Sequence, residues 1–90
     1  MITIWKVSIK EGQRDNFMEK YNLFSWAKGF LGCQFYTVWL SDLIAIESWE
    51  SQEAHKWFAQ SLPEGAMWEL FSLLEWQPEM YECELAKLIK

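Results

Sequence analysis

His55 is the only histidine in the chain, set in the run Ser51-Gln52-Glu53-Ala54-His55-Lys56-Trp57-Phe58. An imidazole has an ordinary pKa of about 6.5, which makes it the natural proton acceptor near neutrality. Ala54, Trp57, Phe58 and Ser61 fall on one stripe of a helix, and His55 lies about 100° round from Ala54. That position suits the edge of a pocket, or a partly exposed surface histidine. Tyr21 and Tyr36 offer hydroxyls to a bound oxygen, with ordinary packing as the alternative for each. Asn22 offers an amide that can orient an oxygen, or simply faces solvent. Trp26, Trp57 and Trp68 can wall an aromatic pocket; the competing readings are core and subunit contact.

Other chemistries lack their residues. One histidine and two distant cysteines do not build a metal site. There is no Gly-x-Gly-x-x-Gly run and no P-loop, so no nucleotide site is suggested. Cys33 and Cys83 have no Cys-x-x-Cys spacing. They read as two small buried hydrophobes in a reducing compartment, with a disulfide or a reactive thiol as the alternatives. Glu47 and Glu50 are near neighbours beside a turn, where carboxylates are usually solvated.

The surrounding composition narrows the class. A length of 90 residues suits one domain over 1–90. Of these residues 51% are hydrophobic and 18% aromatic, with seven tryptophans. A domain of this size has a modest core, so the surplus must line a pocket, face a second copy of the chain, or both. The expected assembly is a homodimer. The net charge is −5, and the 8 lysines and arginines do not cluster into a stripe. That argues against nucleic acid and against anionic membrane surfaces as partners. The start, Met1-Ile2-Thr3-Ile4-Trp5-Lys6, lacks the apolar core of a signal peptide, and no apolar run approaches the roughly 20 residues that span a bilayer. The expected location is the cytoplasm.

The elements that must position these side chains follow from periodicity. Residues 2–10 alternate, with Thr3, Trp5, Val7 and Ile9 on one face and Ile2, Ile4, Lys6 and Ser8 on the other. A helix over 13–28 has Phe17, Tyr21, Phe24 and Ala27 on one stripe and ends at Gly29. Strands over 33–40 and 43–49 follow, with only Ser41-Asp42 between them, which predicts a tight hairpin. In the second, Leu43, Ala45, Glu47 and Trp49 share a face. Ser51 caps a helix that runs to about residue 61. A further helix starts near Pro63 and stops at Gln77-Pro78, apolar around most of its girth and so expected to be buried on more than one side. A last strand runs over 80–85. The order β-α-β-β-α-(α)-β is that of an α+β, ferredoxin-like fold: a four-stranded antiparallel sheet with helices on one face. Apolar residues on both faces of the strands predict cover on the other face too, as a second copy of the sheet would give.

The run Ile46-Glu47-Ser48-Trp49-Glu50-Ser51-Gln52-Glu53-Ala54 resembles the Glu-x-Trp-x-Ser-x-Glu-Ala pattern of the antibiotic biosynthesis monooxygenase family. Lys10-Glu11-Gly12 looks like that family's turn after the first strand, and Gly32-Cys33 like its entry into the second. The resemblance implies a dimeric α+β barrel, two sheets packed face to face, with the C-terminal strand helping to tie the subunits together. Trp49 fits the family's tryptophan and reads as core. The family includes cofactor-free oxygenases of phenolic polyketides, quinol oxygenases and haem-degrading enzymes. The haem-degrading branch uses a first-strand asparagine, a tryptophan in the second helix and a histidine beyond it. Here the first strand has Lys6 and Val7, Trp57 lies about one residue off, and no histidine follows.

Two functions are therefore expected. The first is a small oxygenase that oxidises a phenol or quinol with O₂ and no bound cofactor. His55 would act as base, with Tyr21, Asn22, Trp26, Tyr36 and Trp57 around the substrate. A phenolate can give an electron to O₂ directly, so the protein need only bind, deprotonate and exclude water. The second is a non-catalytic homodimer that binds a small apolar ligand or serves as an interaction module. A haem protein with His55 as axial ligand is a third reading, and flavin stays open beside haem as a cofactor.

Overall fold

The computed structural model describes residues 1–22, 26–38, 42–63 and 65–89. Its elements are β1 (Ile2–Ser8), α1 (Arg14–Asn22), β2 (Phe30–Thr37), β3 (Asp42–Trp49), α2 (Gln52–Ser61), α3 (Ala66–Phe71) and β4 (Glu79–Cys83). The strands form one antiparallel sheet in the order β2-β3-β1-β4. This is the expected ferredoxin-like arrangement.

Alternation along the strands decides which side meets the helices. On β1, Thr3, Trp5 and Val7 are buried; on β3, Leu43, Ala45, Glu47 and Trp49 are. Registration aligns them into rows: Cys33, Glu47, Thr3 and Glu82 lie side by side across the sheet, and Phe35, Ala45, Trp5 and Met80 form the next row. Phe17 and Tyr21 of α1 and Leu70 of α3 close over these rows to form the main core. Trp49, Phe58 and Ala27 make a smaller core at the other end of β3. The opposite face carries Ile2, Ile4, Ile44 and Ile46, half-buried, with Tyr36 and Tyr81 exposed.

Several boundaries differ from the periodicity. The helix expected over 13–28 ends at Asn22 among the described residues, and Trp26–Gly29 is turn. Gly29 has φ +84°, and a Cβ there would meet the Ala54 Cβ at 2.6 Å, so the turn is pressed against the start of α2. β2 starts at Phe30 rather than Cys33, because a bulge between Phe30 and Gly32 lets Phe30 pair with Trp49. Phe24, Trp39, Leu40 and the turn residue Ser41 lie outside the described residues. Asp42 itself is already in β3, opposite Ser8.

The third helix is the largest departure. It spans six residues, Ala66–Phe71, instead of running to residue 76. The chain is drawn off by β1: Leu74 bridges Ile9, the Lys10 N–H donates to the Leu73 carbonyl at 2.9 Å, and the Glu75 N–H donates to the Ser8 carbonyl at 2.8 Å. The helix is also buried on one side only, by Leu70, while Trp68 is 76% exposed. Met67 and Phe71 pack half-buried against the main core, and the short length and surface position leave Trp68 in solvent.

Candidate functional site

β3 ends with Glu47 and Trp49 two residues apart, so both side chains point under the helices. Glu47 is 4% exposed. Its carboxylate accepts a hydrogen bond from the Tyr21 hydroxyl, 26 residues away, and another from Trp49 Nε1 at 3.2 Å. Burial raises the Glu47 pKa above its ordinary value of 4.5, because a low-dielectric interior disfavours the charged form. The indole N–H groups of Trp49 and Trp5 oppose that rise but do not cancel it. Trp5 Nε1 pulls on the carboxylate electrostatically without reaching hydrogen-bond geometry. It is a buried donor with no hydrogen-bond partner among the described residues.

α2 supplies the second titratable group. Ser51 caps it by accepting the Ala54 N–H at 3.1 Å, which fixes the first turn directly after β3. His55 then stands on that turn with its ring 5.1 Å from the Trp49 ring. Its side chain is 13% exposed, and Nδ1 lies 3.6 Å from Oε1 of Glu82 on β4. One turn further on, Phe58 also packs on Trp49 at 5.1 Å.

These groups face one cavity of about 150 Å³. Trp5, Glu47 and Met80 form its floor on the sheet; Tyr21, His55 and Phe58 contribute from the helices. An apolar cavity of about this size holds one benzene ring. A wider cleft of about 380 Å³ lies between α1 and β2, lined by Met18, Asn22, Phe30, Cys33 and Phe35. Tyr21 borders both spaces.

Of the residues singled out from the sequence, His55 and Tyr21 come together at the narrower cavity. Asn22 lines the wider cleft instead. Tyr36 is turned to the opposite face of the sheet, beside Ile44, and is 50% exposed. Trp26 is exposed and packs on the edge of Phe58 at 6.1 Å. Trp57 borders a shallow cleft with Lys28, Glu50 and Glu53, away from Glu47. Trp49 is core, as read.

Glu47, Trp5, Met80 and Glu82 were not among the candidates. Glu50 is exposed, as a carboxylate beside a turn should be, but Glu47 is not. The available signal was its phase: it alternates with Leu43, Ala45 and Trp49 on the inward face.

The cysteines sit at opposite edges of the sheet and on opposite faces, Cys33 on the helix side of β2 and Cys83 on the outer side of β4. Both are free thiols. Burial pushes the Cys33 thiol up to about 11, which keeps it protonated at neutral pH. Among the described residues no group of three or more histidine, cysteine or acidic side chains could hold a metal ion, and no helix is long and apolar enough to cross a membrane.

No protein-family model matches the sequence, and no curated protein matches it. Solved structures do match. An antibiotic biosynthesis monooxygenase aligns over 97% of this chain and 100% of its own, with TM-score 0.73 and 12% identity. SnoaB, a cofactor-independent oxygenase from Streptomyces nogalater, aligns over 94% of this chain and 93% of its own, with TM-score 0.71 and 12% identity. A monooxygenase from Streptomyces coelicolor, solved with the ligand nanaomycin D, aligns over 99% and 91%, with TM-score 0.69 and 17% identity. Identities this low speak for the fold, and on that level the resemblance read from the Glu47–Ala54 run holds: the chain has the fold of the antibiotic biosynthesis monooxygenases.

Proposed function

We propose that the protein is a cofactor-independent oxygenase of the antibiotic biosynthesis monooxygenase type, acting on a small phenol or quinol in the cavity beside Glu47. One observation carries the reading. A buried carboxylate with a raised pKa and a partnerless indole N–H border the same apolar cavity of single-ring size. The carboxylate can take the phenolic proton, and the Trp5 N–H can hold the oxygen that becomes negative. His55 borders the same cavity and is the second candidate base. The fold shared with a cofactor-independent oxygenase supports the absence of a bound cofactor. A cavity that holds one six-membered ring does not fit a tetrapyrrole beside His55, so no step is routed through haem.

The chemistry needs only substrate and O₂. Deprotonation gives a phenolate, which passes one electron to O₂. Superoxide and the phenoxyl radical then join at a ring carbon. Loss of the hydrogen on that carbon and cleavage of the O–O bond give a quinone and water. One oxygen atom enters the product, the other leaves as water, and all four electrons come from the substrate. Apolar walls keep solvent from the radical pair.

The test is oxygen uptake with single-ring hydroquinones, each corrected for its autoxidation rate. Protein-dependent uptake with the hydroxyquinone, which carries one new oxygen atom, as product is the expected result; the plain quinone with hydrogen peroxide would be oxidation without oxygen insertion. Tight binding with no uptake across the series would replace this reading with a non-catalytic ligand-binding protein.

The same proposal includes a homodimer formed through the outer sheet face and a cytoplasmic setting. Gln34, Ile46, Ile4 and Tyr81 form one row across that face, and Tyr36 and Ile44 lie in the next. Such a row resembles half of a domain core more than a solvated surface. Light scattering should give twice the chain mass for the natural protein. Ile46→Lys, on β3 near the middle of the face, should give the single-chain mass without loss of helical signal.

A further inference from the structure

We propose that Tyr21 is a fixed partition that sets substrate size: it confines the ligand to one ring by separating the cavity beside Glu47 from the wider cleft between α1 and β2. The inference rests on the functional reading above and deepens it by naming the substrate class as single-ring compounds. Tyr21 alone among the described residues borders both spaces, one of about 150 Å³ and the other of about 380 Å³.

The two spaces are neighbours across the sheet. Cys33, in the cleft, is paired in register with Glu47, in the cavity. Adjacent strands are about 4.8 Å apart, so the cleft comes within one strand of the carboxylate. What lies between is the Tyr21 ring, which is 4% exposed.

That ring is held on several sides. Phe35 meets it edge-on at 5.1 Å, Phe17 packs at 6.0 Å and Trp5 at 6.4 Å. Its hydroxyl donates to Glu47. A ring clamped by three aromatic neighbours and one buried hydrogen bond does not swing aside for a larger ligand without disturbing the core. The partition is therefore a size filter and not a gate. A two-ring ligand that places its hydroxyl at Glu47 must put its second ring where Tyr21 stands. Removing the ring joins the spaces, and the second ring then falls beside Cys33.

The experiment measures calorimetric affinities of p-cresol and naphthol, with toluene and naphthalene as their hydrocarbon counterparts, for the full chain and for Tyr21→Phe and Tyr21→Ala. The natural protein is expected to prefer the one-ring member of each pair by at least tenfold. Tyr21→Phe keeps the ring and should keep the preference. Tyr21→Ala should lose it, by tenfold or more. In a Cys83→Ser background, naphthol should then slow maleimide labelling of Cys33 at least threefold in Tyr21→Ala and not in the natural protein. Tyr21→Leu, which leaves more apolar volume in the core, serves if the alanine variant does not fold, with the same direction and a smaller change.

Equal affinity of the natural protein for one and two rings would overturn the proposal. So would an unchanged preference in a folded alanine or leucine variant, or no binding of any probe. The two readings fail separately. A size step shared by the hydrocarbons, with no gain from the hydroxyl, would leave the partition standing and remove the proton-acceptor role of Glu47. A hydroxyl gain without a size step would do the reverse.

Discussion

Glu47→Gln is expected to lower oxygen uptake by about 10²–10⁴-fold while leaving the protein folded, the range for loss of a positioned general base. Glutamine has nearly the same shape: its amide oxygen can accept from Trp49 while its NH₂, in the place of the other oxygen, donates to the Tyr21 hydroxyl, so the packing of β3 against α1 survives. What it cannot do is take a proton. The pH dependence gives a second readout with a definite sign. Burial raises the Glu47 pKa in the folded chain above its ordinary 4.5, so within that window the folded state binds more protons than the unfolded one. Stability conferred at this position is therefore present at acid pH and is lost as pH rises through the folded pKa. Glu47→Gln escapes that loss. The melting temperature of the variant minus that of the natural protein should grow between pH 4 and pH 8. Uptake by the natural protein should rise over the same range as Glu47 ionises. A variant with full activity, or a temperature difference that shrinks with pH, would remove Glu47 from the mechanism.

Trp49→Ala should cost about 3–5 kcal/mol, the usual penalty for emptying a buried aromatic position. The ring is 2% exposed and meets Phe30, His55 and Phe58, each at 5.1 Å. Its N–H is also one of the donors on Glu47. A small domain has only about 5–15 kcal/mol to lose, so the alanine variant should give up a large share of its stability. Trp49→Phe keeps an aromatic ring and gives up the donor, and should lose about 1–3 kcal/mol. Urea unfolding followed by circular dichroism separates them. An alanine variant within 1 kcal/mol of the natural protein would show that the smaller core is dispensable.

The fold was legible because its signals are local. Period-two alternation in β1 and β3 sorted their residues into two faces, and Ser51 marked the start of α2. The site was legible only where a residue's own neighbours settle its direction. His55 beside Ala54 was read as lying at a pocket edge or as a partly exposed surface histidine; its side chain is 13% exposed and borders the cavity. Tyr36 was left between substrate contact and packing because β2 has apolar residues on both faces, and its phase alone does not say which face the helices cover. Glu47 was misjudged because its environment is made by residues far away in sequence. Tyr21 on α1 and Trp5 on β1 turn a carboxylate near a turn into a buried one. The length of α3 was hidden for the same reason: its apolar pattern continues, but pairing of Leu74 with Ile9 ends the helix.

The strand order also sets a sequence of events in the life of the chain. Among the described strands β4 follows the other three along the chain, yet its place is beside β1. Until it arrives, β1 presents an open edge, and the cavity lacks Met80 on its floor. Nascent chains should therefore hold β1, β2 and β3 as a partial sheet that is sticky and cannot retain a ligand. Pairing across so long a separation is slow to nucleate, which points to folding in milliseconds to seconds rather than microseconds. While β4 is unpaired, the exposed edge of β1 favours aggregation, and holdase chaperones would have their target in that interval.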